Sequence, residues 1–229
     1  MNPVIRDALA AKGLNLIGIA DGAPYQSLLA GCKAVVVVAS GGGALWDAFL
    51  DDLRADPQRL FEEDHPLDRF VARTLQQADP TPPASRRWIR CAADESVFID
   101  FRKLALQAGL GWMSQLGVVL NPTFGPWMGL RAACLTTDAL PIDGPLSAPA
   151  PCAACPDRCA AACPGGAFDA GRLRIRRCVA FRAASTTCAV RCDARRACPE
   201  GRAHAYGADA LRYHMDPKGG REMLAQMLR

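Results

Sequence analysis

The chain has no apolar run near the roughly eighteen residues that a membrane-spanning helix needs. Its longest, KAVVVVASGGG (33–43), is the length of a strand and ends in glycines, so no membrane span is expected. The N-terminal MNPVIRDALAAKGLNLIGIA lacks the order of charged, apolar and small segments that marks a signal peptide, which points to a cytoplasmic protein. Neither Gly-x-Gly-x-x-Gly nor a Gly-Lys-Ser/Thr loop occurs, so the usual signals for dinucleotide or ATP binding are missing. With 50% hydrophobic and 22% charged residues, the chain is globular rather than disordered.

What it has in abundance is cysteine and arginine, and both are unevenly spread. Residues 1–146 have the texture of a mixed α/β region. PVIRDALAAKG (3–13), ALWDAFLDDL (44–53) and HPLDRFVARTLQQA (65–78) have helical apolar spacing, LNLIGIA (14–20) reads as a strand, and AVVVVAS (34–40) as a strand buried on both faces. DPTPPASR (79–86) is loop, and SVFIDFRKLALQAG (96–109) predicts an amphipathic helix capped by Ser96 and ended by Gly109. GVVLNP and RAACLTTDAL read as strands around an irregular TFGPWMG. PIDGPLSAPAP (141–151) is the natural boundary, and residues 147–229 form a second region of poor periodicity that needs a source of cohesion beyond apolar burial.

Eight of the eleven cysteines lie in that second region. Cys152, Cys155, Cys159 and Cys163 follow C-x2-C-x3-C-x3-C-P, one residue longer than the C-x2-C-x2-C-x3-C-P of two-cluster bacterial ferredoxins. Cys178 follows, and then CAVRCDARRACP (188–199) gives Cys188, Cys192 and a second Cys-Pro at Cys198. In the ferredoxin pattern three closely spaced thiolates wrap one cubane and the fourth joins the other. By that logic Cys152, Cys155, Cys159 and Cys198 share one [4Fe–4S] cluster, and Cys163, Cys178, Cys188 and Cys192 the other. One cluster with structural cysteines, a four-cysteine zinc site or disulfides are the alternatives. Cys32, Cys91 and Cys134 read as small buried hydrophobes. Between Cys152 and Ala203 there are ten arginines against four acids, and the whole chain carries +4. Two clusters, each of net charge about −2 with four thiolates, bring that near zero, so the arginines serve as counter-charges or a solvated face as readily as an RNA surface.

Residues 107–141, QAGLGWMSQLGVVLNPTFGPWMGLRAACLTTDALP, run into the cysteine-rich segment in an order that resembles the epoxyqueuosine reductases, the reductive dehalogenases and the related vitamin B12-processing proteins. Their AGLGW, G-W-x-x-L-G and T-D/T-x-L stretches have counterparts at Ala108–Trp112, Gly125–Gly129 and Thr136–Leu140, and RRC (176–178) resembles their R-C-I cysteine. The resemblance implies a short divergent member of α+β class: a nitroreductase-like α/β sandwich over residues 1–146, holding cobalamin, then a ferredoxin-like double-cluster domain over 147–229. It further implies an external electron donor such as ferredoxin or flavodoxin and a small-molecule or corrinoid substrate. Where the family has Gly-Lys-Asn, this chain has Ser114-Gln115-Leu116, and the C-terminal repeat domain with which some epoxyqueuosine reductases grip tRNA is not expected here.

Asp94 and Glu95 stand where the reductases carry a proton-donating aspartate and are the catalytic candidates. Trp112, Phe124 and Trp127 are candidates to line a flat cofactor cavity, and Gly42 and Gly43, between a buried strand and a helix, to cradle a cofactor tail. His65, His204 and His214 read as structural. Three functions follow: a cobalamin-dependent iron–sulfur oxidoreductase, an iron–sulfur electron-transfer protein that has lost cobalamin, and a tRNA-modifying reductase. Nucleic acid is the least expected partner.

Overall fold

The strand that begins at Ala34 is buried along all of its eight residues because it has neighbours on both sides in an antiparallel sheet. The computed structural model describes residues 3–91 and 97–228. In chain order its strands are β1 (Leu16–Asp21), β2 (Ala34–Gly41), β3 (Arg86–Arg90), β4 (Trp112–Met113), β5 (Val119–Leu120), β6 (Met128–Thr136), β7 (Phe168–Asp169) and β8 (Arg172–Leu173). Its helices are α1 (Pro3–Ala10), α2 (Ala44–Ala55), α3 (Arg59–Glu62), α4 (Pro66–Ala78), α5 (Phe101–Gln107), α6 (Arg158–Ala161), α7 (Ile175–Ala184), α8 (Thr186–Val190), α9 (Asp193–Arg196), α10 (Ala208–Met215) and α11 (Pro217–Met227). Two compact units divide the chain: residues 1–111 with 128–147, and residues 112–127 with 148–229. The class is α+β, as expected. The composition boundary near residue 146 lies beside the second crossing point, and the segment 112–127 goes with the cysteine-rich unit.

In the first unit the sheet order is β1-β2-β6-β3. Val36 of β2 lies opposite Cys134 of β6, which on its other side faces Trp88 of β3. Helix α2 packs on β2, α5 on β1 and β6, and α1 and α2 on α4. Phe49, fully buried, joins these helices, with ring centroids 5.5 Å from Trp46 and 5.9 Å from Phe70. Loss of such a ring costs about 3–5 kcal/mol. Arg73 ties α4 to α2 through Asp52 at 2.7 Å and also pairs with Glu63, while Arg59 of α3 pairs with the same Asp52. The outer edge of β1 is closed by Asp143, whose carboxylate accepts from the Ile19 amide at 2.7 Å while its own amide donates to the Ile19 carbonyl at 3.0 Å.

Three expectations are corrected. The helix predicted over 96–109 begins at Phe101, because Asp100 takes the cap and its carboxylate accepts from the Arg102 and Lys103 amides. Ser96 lies outside the described residues. Arg86–Arg90 is a strand where none was expected: its arginines hide the alternation, and Ile89 is its one buried residue. Buried Asp79 holds it, accepting from Arg86 at 3.2 Å and from the Trp88 indole at 2.9 Å. Cys91 is exposed rather than buried, since it stands just beyond the end of β3, whereas Cys32 and Cys134 are buried as expected.

The second unit is built of short pieces. β4 pairs with β5 and β7 with β8, two residues each, and α10, with Leu211 buried, packs on α11, with Leu224 buried. Its tightest point is a backbone crossing. A Cβ on Gly125 would lie 2.1 Å from the Glu200 carbonyl oxygen, and one on Gly201, at φ +62°, 2.1 Å from the Phe124 carbonyl carbon. Glycine is required at both.

Candidate metal centre

The short helices of the second unit and the turns between them carry the cysteines. Cys159 is on α6, Cys163 follows it, Cys178 is on α7, Cys188 on α8, Cys192 caps α9 and Cys198 follows α9. None of the eleven cysteines is paired in a disulfide among the described residues.

The electrostatics of these thiols sort them. Burial pushes the Cys159 thiol up, and Cys152 and Cys155 push it further. Cys198 is raised by burial and then by the same two, against the Glu200 amide. Cys188 is raised by burial, then by Cys192, Cys178 and Cys163. In Cys192 burial again comes first, opposed by the Arg195 amide and guanidinium and reinforced by Cys178 and Cys163. The couplings therefore gather Cys152, Cys155, Cys159 and Cys198 in one set and Cys163, Cys178, Cys188 and Cys192 in another.

Between the sets lies a small apolar knot. Buried Leu116, Cys159 and Ala194 pack together, with Cys163, Phe168 and Cys192 against them. Members of both sets thus meet on the same few side chains. Gln115 reinforces the knot: its amide nitrogen donates to Asp157 at 2.7 Å and its oxygen accepts from the Cys159 thiol at 3.4 Å. Backbone amides point at sulfur in two places, Ala167 to Cys163 at 3.5 Å and Arg195 to Cys192 at 3.4 Å.

Arg195 is a further residue of this site that cysteine spacing does not reveal. Its guanidinium donates to the Pro126 carbonyl from Nε at 3.1 Å and again from a terminal nitrogen, and it lies 4.8 Å from the Trp127 ring centroid and 5.0 Å from that of Tyr206. Such a sandwich contributes about 0.5–2 kcal/mol per ring. The only signal for it was an arginine midway between two ligand-type cysteines.

The aromatic candidates fall in this unit. Trp112 is half-buried and donates to the Ala148 carbonyl at 2.8 Å. Phe124 packs at a tilt against His204 at 4.7 Å, and Tyr206 reaches both Trp127 and His214 at 5.6 Å. Trp127 is fully buried, and its indole N–H meets no acceptor among the described residues. Gly42 and Gly43 are in the first unit: Gly42 has φ +66°, and Gly43 caps α2, whose first turn carries Asp47. The Asn15 side chain brackets that loop, accepting from the Gly41 amide at 2.7 Å and donating to its carbonyl at 3.1 Å. His65 caps α4, which starts at Pro66. Asp94 and Glu95 lie outside the described residues.

The donor set suits iron–sulfur chemistry: eight thiols in two fours, amides aimed at sulfur, and a buried indole N–H with no acceptor of its own. Among the described residues no three His, Cys, Asp or Glu side chains are arranged to hold a single metal ion. A cubane makes a different demand, because its four thiolates bind four separate irons and stand farther apart.

No family model matches the chain. An epoxyqueuosine reductase of Synechococcus sp. (strain RCC307) is 37% identical over 114 residues, 49% of this chain and 33% of that protein. One from Staphylococcus aureus (strain NCTC 8325 / PS 47) is 32% identical over 93 residues, 41% of this chain and 23% of that protein. The matched region thus spans a third or less of these relatives. Among solved structures, an epoxyqueuosine reductase with an epoxyqueuosine-modified tRNA stem loop has a TM-score of 0.52 at 16% identity, covering 94% of this chain and 69% of that one. A catabolic reductive dehalogenase has 0.56 at 15%, covering 94% and 34%. The B12-trafficking protein CblC of C. elegans has 0.58 at 11%, covering 98% and 94%. At these identities the structures speak for the fold.

Over about half its length the chain is similar in sequence to epoxyqueuosine reductases, and it shares its fold with epoxyqueuosine reductases, a reductive dehalogenase and a B12-trafficking protein. The correspondence of fold over nearly the whole of both chains is with the B12-trafficking protein.

Proposed function

We propose that this protein is an iron–sulfur oxidoreductase that takes electrons from an external one-electron donor and serves reductive chemistry or corrinoid processing on a bound cobalamin. In this reading one [4Fe–4S] cluster is held by Cys152, Cys155, Cys159 and Cys198 and the other by Cys163, Cys178, Cys188 and Cys192. The first region takes the nitroreductase-like part and the second the ferredoxin-like part. The observation that carries the reading is the separation of the eight thiols into those two sets around the Leu116–Ala194 knot.

A [4Fe–4S] cluster supplies one-electron transfer and a corrinoid supplies reductive chemistry at cobalt. The chain's own residues hold and shield these groups. Its cysteines bind as thiolates, so the burial that raises Cys159, Cys188, Cys192 and Cys198 is offset on loading, which releases protons. Leu116 and Ala194 exclude water between the two sets. The amides of Ala167 and Arg195 stabilise sulfur charge and so favour the reduced state. Asp94 and Glu95 remain the candidates for proton donation to substrate.

One observation favours an electron-transfer protein without a corrinoid. Where the family carries lysine and asparagine, Gln115 is engaged by Asp157, and Leu116 is buried among cysteines. Neither side chain is free to meet a second cofactor.

Anaerobic purification, iron and sulfide analysis, and an absorbance titration with cob(II)alamin separate these readings. About eight irons per chain with saturable corrinoid binding is the expected result. The same iron without corrinoid binding moves the function to electron transfer, and zinc in place of iron overturns the redox reading.

A further inference from the structure

Between Asp169 and Asp193 the chain has six arginines and no acidic residue. Two of them are answered at the ends, Arg174 by Asp169 at 2.6 Å and Arg191 by Asp193 at 3.0 Å. Arg172, Arg176, Arg177 and Arg182 have no ion-pair partner among the described residues.

Helix α7 lies in the middle of this stretch and buries none of its ten residues. An ordinary surface helix turns its apolar stripe to the core. Here Ile175 and Val179, one turn apart and therefore on the same face, are 65% and 60% exposed. Cys178 is beside Val179, half-buried. The helix's one aromatic residue turns inward: a Cβ on Gly165 would lie 2.6 Å from the Phe181 ring.

An exposed apolar pair rimmed by arginine has the layout of a protein–protein interface, with an apolar centre and a charged rim enriched in Arg. A single-stranded RNA surface instead offers aromatic platforms for bases, and α7 presents none.

We infer that α7 is the docking surface for an acidic one-electron carrier protein of the small ferredoxin or flavodoxin type. Ile175 and Val179 form its centre, Arg172, Arg176 and Arg177 its rim, and Cys178 the point of electron entry. The inference rests on reading Cys178 as a cluster ligand. In the transfer the reduced carrier loses one electron and the cluster gains one; no bond forms or breaks and no proton moves. The rim charges steer an acidic partner, and the apolar pair sets how long it stays.

The test uses the full chain reconstituted with iron and sulfide, and an acidic plant-type [2Fe–2S] ferredoxin as probe. Affinity is read by calorimetry with both proteins oxidised, and cluster reduction by stopped-flow absorbance, each at low and high salt. Arg176→Glu with Arg177→Glu is expected to slow low-salt association about tenfold or more and to flatten its salt dependence. Ile175→Ser with Val179→Ser is expected to weaken affinity about tenfold with the salt dependence retained. Both variants are expected to keep wild-type iron content and the wild-type rate of reduction by photoexcited deazaflavin, a small reductant that needs no docking surface. Unchanged ferredoxin affinity and rate in both fully loaded variants overturn the docking surface and leave the clusters standing. Wild-type protein that binds no iron overturns both. Loss of binding to a tRNA stem loop with unchanged ferredoxin kinetics overturns the inference in favour of RNA.

Discussion

Cys134 is the clearest case of a single side chain whose chemistry is set by its position. At the centre of the sheet, burial pushes its thiol from 9.0 to about 12. A group raised in the folded state stabilises that state below the unfolded pKa and loses the contribution as pH rises through the folded one. Between pH 9 and 12, therefore, the unfolded chain ionises this thiol while the folded chain does not, at about 1.4 kcal/mol per pH unit. Urea unfolding from pH 8 to pH 11 is expected to show the midpoint falling less steeply in Cys134→Ala than in the wild type. Gly201 tests the second unit in the same way. A methyl group there meets the Phe124 carbonyl carbon at 2.1 Å in a left-handed backbone. Gly201→Ala is expected to retain clearly less iron than the wild type after reconstitution, because the crossing with Gly125 sits beside Cys198. Wild-type iron retention would show that the crossing tolerates displacement.

Elements differ in how openly the sequence announces them. β2, α2 and α4 were legible because a buried strand and two amphipathic helices each carry one unbroken period. β3 was not, since its stability comes from Asp79, seven residues before Arg86 and hydrogen-bonded to two of its side chains. The start of α5 was misplaced for a related reason. Ser96 and Asp100 are both good caps, and the choice fell to Asp100, which accepts two amides at 3.1 and 3.0 Å. Asp100→Ala is expected to cost about 1 kcal/mol in urea unfolding, and Asp100→Asn to restore most of it. At the candidate site, cysteine spacing named two sets of four because ligand chemistry is local in sequence. Arg195, Tyr206 and Leu116 were hidden because what matters is their contact with distant residues: an indole, a proline carbonyl and the two thiol sets. Spacing carries no trace of such contacts.

At the scale of the molecule, the path of the chain matters as much as its parts. It leaves the first unit after residue 111, contributes residues 112–127 to the second, returns at 128 to lay down β6, and leaves again after 147. β6 is the strand that joins β2 to β3. During synthesis, then, the first unit emerges from the ribosome with its sheet still open, and β6 closes it only after the loop that belongs to the cysteine-rich unit has been made and left waiting. A fragment ending at Ser147 is expected to fold its sheet yet keep 112–127 open to protease, whereas in the iron-loaded full chain the same bonds resist cleavage. Equal cleavage of that segment in both would show that it gains no protection from residues 148–229. The order of translation thus makes the sheet a finished scaffold before any of the eight cysteines between Cys152 and Cys198 has left the exit tunnel.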